Sequence, residues 1–192
     1  MPDTVRHTVS RAILGSASPA KWLSLILAGS LILTLSAKVQ VPFHPVPMTM
    51  QTLVVLLLGM VYGPKLAGAT LAAYLAQGAA GLPVFAGTPE KGIGLTYMAG
   101  PTGGYLLGFL IAAVLVGHLA ERGWDRTPLK LAATGFLGLA AIYAPGLFWL
   151  GAAVGWGKEL LEFGLWPFLP AEFLKLALLV GIVHVGARRL RR

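Results

Sequence analysis

The 192-residue chain contains no cysteine. That excludes a disulfide framework and any thiolate metal site. Charge is also scarce. Its 15 basic and 7 acidic residues make up 11% of the chain, where soluble domains average about 25%. So few charges cannot coat a globule of this length, which excludes an ordinary soluble domain and a disordered, solvated tail. There is no G-x-x-x-x-G-K-[ST] phosphate loop, so the chain does not hydrolyse ATP by that machinery. There is no H-E-x-x-H, and His7, His44, His118 and His184 fall in separate segments. A zinc intramembrane protease is therefore not expected. Serine is sparse in the later apolar stretches, and no Ser/His relay can be assembled from them. No catalytic and no metal-binding residues are assigned.

What is abundant is apolar surface, with 56% of residues hydrophobic. A transmembrane helix takes roughly 20 apolar residues, so six would use about 120 and leave about 70 for loops and ends. Apolar runs broken by glycine, proline and charge give spans at approximately 21–38, 48–62, 66–81, 101–120, 129–154 and 171–187. The breaks have physical causes. Pro42, Pro45 and Pro47 cannot continue a helix, and Gly63-Pro64-Lys65 reads as a turn. The first run is too long for a cleavable signal peptide and leads into further spans. The expected architecture is an all-α integral membrane protein forming a single membrane domain over 1–192.

The basic residues orient it. With both termini cytoplasmic, Arg6, Arg11, Lys21, Lys65, Arg122, Arg126, Lys130, Arg188, Arg189, Arg191 and Arg192 lie inside. Only Lys38, Lys91 and Lys158 lie outside. An odd number of helices would separate the two basic ends, so six spans fit best. Trp149, Trp156 and Trp166 then approach the outer interface, and Trp22 and Trp124 the inner one, as tryptophan belts do. The net charge of +8 is thus an orientation signal that favours anionic lipid over nucleic acid as partner.

Four features are not explained by topology. Glu172 and Lys175 lie i, i+3 in the sixth span, on one face. Ionisable groups there face a cavity or a partner. The pair either lines a site or forms an internal ion pair, with Glu172 favoured near the positive helix start after Pro170. The 82–100 loop is long and mixes Phe85, Thr88, Glu90, Lys91 and Tyr97. It is either a binding lid or a solvated connector. Gly100, Gly104 and Gly108 recur every four residues, a strip suited to close helix packing. Ala20, Ser24 and Ala28 make a similar strip on the first helix, for packing within the chain or for docking another subunit.

The run Val39-Gln40-Val41-Pro42-Phe43-His44-Pro45-Val46-Pro47-Met48-Thr49-Met50-Gln51-Thr52 resembles the segment joining helices 1 and 2 in the BioY family. Those proteins are biotin-binding S components of energy-coupling factor (ECF) transporters. The resemblance continues through Gly63-Pro64-Lys65, residues 79–87 and residues 100–109, and covers roughly 21–185. It implies six helices, a biotin site opening outward and no ATPase activity in this subunit, which is not expected to be an enzyme. It also implies a bacterial cytoplasmic (inner) membrane location. The family usually shows Gly-Asp-x-x-Lys in the sixth helix. Here Ala171-Glu172 replaces Gly-Asp while Lys175 keeps its spacing, so the carboxylate geometry is expected to shift.

Biotin suits these residues. Its ureido ring offers two N–H donors and one carbonyl acceptor, which Glu172 and Lys175 complement. Its apolar rings suit Phe85 or Tyr97. The valerate carboxylate wants a cation, either Lys91 or, in the opposite assignment, Lys175. Thr88, Gln51 and Thr102 are weaker polar candidates. The resemblance further implies that Ala20, Ser24 and Ala28 dock a transmembrane coupling subunit carrying two ATPases. The alternatives are an S component for thiamine or riboflavin, or an intramembrane lipid-modifying enzyme. The expected cofactor list is empty, with biotin as the transported ligand.

Overall fold

The computed structural model describes residues 18–41 and 44–190, with side chains described as far as residue 186. Arg6, Arg11, Arg191 and Arg192 lie outside the described residues, as do Pro42 and Phe43. Among the described residues, five helices are long and apolar enough to cross a membrane. The first, α1 (Pro19–Lys38), starts where its sequence signals it. Ser18 caps it by accepting from the Lys21 backbone N–H at 3.3 Å, and Pro19 takes the first helical position.

The proline-rich segment that follows avoids helix. A two-residue antiparallel bridge joins β1 (Gln40–Val41) to β2 (Met48–Thr49), with Gln40 opposite Thr49 and Val41 opposite Met48. The next helix, α2 (Gln51–Ala79), therefore starts three residues later than the apolar run at 48. Its 29 residues fold back at Gly63, which adopts φ 74° and ψ 173°. Only glycine accepts that φ without strain. The Gln51 amide lies 2.8 Å from the Tyr74 hydroxyl across 23 residues. A straight helix would separate them by about 35 Å. The Gly63-Pro64-Lys65 turn is thus real, and α2 is a hairpin of two antiparallel limbs.

Two segments read as loops contain short helices. α3 (Gly94–Ala99) lies within 82–100, and α6 (Lys158–Gly164) lies between the later spans. Between them run α4 (Gly103–Leu119), a wider π-type turn at Ala120–Trp124, and α5 (Pro128–Val154). Thr127 caps α5 by accepting from the Lys130 N–H at 3.4 Å. The last helix, α7, spans Leu169–Leu190.

The two limbs of α2 and helix α4 form the centre, with more than half of their apolar windows buried, while α1, α5 and α7 sit around them. Peripheral apolar side chains stay uncovered by protein, including Leu31 at 59%, Phe148 at 67% and Phe173 at 64% exposure. Exposure of that kind is stable only against lipid. Close packing in the centre depends on Gly104 and Gly108. A Cβ on Gly108 would stand 2.6 Å from the Ile142 carbonyl oxygen, and one on Gly104 would strike that of Pro145. Gly100 precedes α4 and meets α5 through its carbonyl, which accepts from Trp149 at 2.9 Å, rather than through close backbone packing.

Candidate functional site

α7 begins at Leu169, and its first two turns place Glu172 and Lys175 side by side, 3% and 6% exposed. The ammonium is 2.9 Å from Glu172 Oε1. It also donates to the Thr49 carbonyl at 2.7 Å and the Thr52 hydroxyl at 3.1 Å. An ammonium has three protons, so these acceptors use all of them. The β1–β2 bridge and the start of α2 bring Thr49 and Thr52 here. Glu172 Oε1 accepts further bonds from Thr52 at 3.1 Å and from Tyr143 of α5 at 3.3 Å.

The two carboxylate oxygens differ sharply. Oε1 is saturated, whereas Oε2 is buried without a hydrogen-bond partner. A buried acceptor left unmade costs about 1–3 kcal/mol, more when charged. An N–H donor supplied by a ligand would remove that cost. The pair is thus an internal ion pair whose Glu172 also lines a cavity.

Two cavities of about 30 and 40 Å³ adjoin at Val46, Pro47, Thr49 and Tyr105. The first is closed by Thr52, Tyr143, Phe168 and Glu172. The second continues under the loop past Gln51, Ala86, Tyr97 and Thr102. Both are smaller than typical small-molecule sites, about 300–1,000 Å³. A third groove of about 200 Å³ lies between α5 and α7. Its walls are apolar apart from Tyr143 and Glu172, and it opens where Phe136 and Phe173 are exposed.

The remaining expected site residues occupy distinct places. Gln51, Tyr97 and Thr102 line the second cavity. Gln51 donates to Tyr74, which donates to the Val84 carbonyl at 3.0 Å. Phe85 is fully buried, edge-on to Tyr74 and stacked on Tyr97 at 5.0 Å, so its ring packs the loop onto the bundle. Tyr97 donates to the Ala86 carbonyl at 2.7 Å. Burial pushes its phenol above the usual range, against the lowering effect of the Thr102 hydroxyl, and keeps it a neutral donor. Thr88 is buried and donates to the Phe85 carbonyl. Lys91 is exposed, its stem against Gly87, one residue from Ala86 in the cavity wall. Ala20, Ser24 and Ala28 are all exposed on α1.

Sequence reasoning missed Thr52, Tyr143, Tyr105 and Lys38. Thr52 was visible only as the end of the motif segment, and the two tyrosines look like ordinary residues of apolar helices. Lys38 counted as a topology charge. Among the described residues, no group of three or more histidines, aspartates or glutamates could hold a metal.

Apolar helices enclosing a small cavity with polar ends, under an ordered loop, define a solute-binding membrane transport protein. More narrowly, this chain belongs to the BioY family, whose model matches residues 8–192. A relative from Pyrococcus horikoshii, described as a probable biotin transporter BioY, is 37% identical over 86% of this chain and 95% of its own. The biotin transporter BioY of Thermotoga maritima is 38% identical over 79% and 88%. Both relatives are named as transporters. The fold matches a solved S-component for biotin from an ECF-type ABC transporter, with TM-score 0.74 and 26% identity over 90% of this chain and 91% of that one.

Proposed function

We propose that this protein is the biotin-capturing S component of an ECF transporter, taking biotin from the outer side of a cytoplasmic membrane. The observation that carries the reading is the buried, unpartnered Glu172 Oε2 at the wall of the first cavity. A ureido N–H is a donor of the required kind. Lys175 holds the carboxylate in place rather than bonding the ligand first, because its protons are already committed. The fused rings lodge beside Tyr105 and Tyr143, where the cavity widens to admit them. The valerate chain runs through the second cavity past Tyr97, and its carboxylate emerges toward Lys91.

The chain crosses the membrane six times, with the two limbs of α2 as the second and third crossings and both termini cytoplasmic. The exposed Ala20-Ser24-Ala28 strip docks a transmembrane coupling subunit that carries two ATPases. ATP hydrolysis there drives reorientation and inward release. A competition panel on the purified protein tests the ligand. Unlabelled biotin is expected to displace labelled biotin, and thiamine and riboflavin are not. Displacement by either of those vitamins at equal concentration contradicts the assignment.

A further inference from the structure

Lys38 is the last residue of α1. Its ammonium lies 2.9 Å from the Phe85 carbonyl, 3.0 Å from the Thr88 carbonyl and 3.1 Å from the Thr88 hydroxyl. All three acceptors come from one turn of the 82–100 loop. The Thr88 hydroxyl donates to the Phe85 carbonyl at 2.7 Å, so these oxygens are tied together before Lys38 reaches them. The same turn supplies Ala86 to the wall of the second cavity. Tyr74 to Val84 and Trp149 to Gly100 fasten the loop to the bundle without charge, and Tyr97 to Ala86 ties the loop to itself.

We infer that Lys38 is a latch, a positioning residue that holds the loop shut over the cavity and sets how fast ligand enters and leaves. It does not line either cavity. It stands on the same rigid helix that carries the exposed Ala20-Ser24-Ala28 strip, so a partner that tilts α1 moves the latch as well. Hydrogen bonds weaken beyond about 3.2 Å, so a small tilt frees the loop. The kinetic part of this inference rests on the biotin reading, and the loop-closing part does not.

The test uses the full chain in lipid nanodiscs, comparing wild type with Lys38→Met and Lys38→Arg. Two quantities are measured: amide hydrogen exchange of 82–100 without ligand, and association and dissociation of labelled biotin. Lys38→Met is expected to speed loop exchange and biotin release about tenfold, the loss of a charge-assisted bond. Association should quicken too, so that the Kd moves less than the release rate. A merely structural role would weaken binding without faster association. Lys38→Arg, which can still donate, should keep most of the closure. Unchanged loop exchange and release in folded Lys38→Met overturn the latch. Should that variant not fold, Thr88→Val, which removes one of the three acceptors, is read by the same criteria. A wild type that fails to bind biotin, with loop exchange still faster in Lys38→Met, leaves the latch standing and removes the biotin reading.

Discussion

The Thr52 hydroxyl stands 3.1 Å from Lys175 Nζ and 3.1 Å from Glu172 Oε1, accepting from one and donating to the other. One side chain on α2 therefore fixes both members of the α7 pair. Thr52→Val keeps the shape and removes both bonds. The expected effect is about 1.5–3 kcal/mol, split between stability and biotin affinity, the range for bonds to charged groups. Thermal unfolding and a binding isotherm of the same sample check it. An unchanged isotherm counts against a role for Thr52 in placing the carboxylate.

Removing one charge of the buried pair differs from removing both. Lys175→Met leaves a buried carboxylate uncompensated and is expected to destabilise by about 3–5 kcal/mol. Glu172→Gln combined with Lys175→Met should regain much of that stability, because no buried charge remains unpaired. The double variant should nevertheless bind biotin poorly. Stability and binding recovering together would mean that the pair serves the fold alone.

The pair was legible in the sequence because charge inside an apolar run is rare and its i, i+3 spacing sets one face. Its partners were not. Thr52 lies 120 residues from Glu172, and threonine or tyrosine in an apolar helix carries no signal until the tertiary fold brings it to a carboxylate. Tyr143 stayed hidden for that reason, and Tyr105, whose hydroxyl donates to the Gly164 carbonyl, enters the cavity walls only through the fold. The Gly63-Pro64-Lys65 turn was legible because glycine followed by proline has one strong structural meaning. The helices Gly94–Ala99 and Lys158–Gly164 were not, being too short to show a period.

Gly108 gives a prediction about the fold itself. Any side chain there meets the Ile142 backbone. Gly108→Val is expected to push α4 and α5 apart and cost about 1–3 kcal/mol, as overpacked cores do. A lower midpoint of unfolding in detergent is the check. The exposed Leu107→Val, one residue away, should leave the midpoint unchanged.

Lys91 is exposed, so its pairing with the valerate carboxylate is worth little. Lys91→Gln should weaken biotin binding by about 0–1 kcal/mol, and less at high salt. Titrations at low and high ionic strength measure both. A loss far beyond that range would place the ligand carboxylate in a dry contact with Lys91, with the loop folded over it.

Equilibrium binding of labelled biotin to the purified chain, wild type beside Glu172→Gln, tests the central claim most directly. Saturable binding tighter than micromolar is expected for the wild type, weakened about tenfold or more when the carboxylate is lost. A folded wild-type protein with no saturable binding below micromolar biotin, or a Gln variant that binds as tightly, would contradict it.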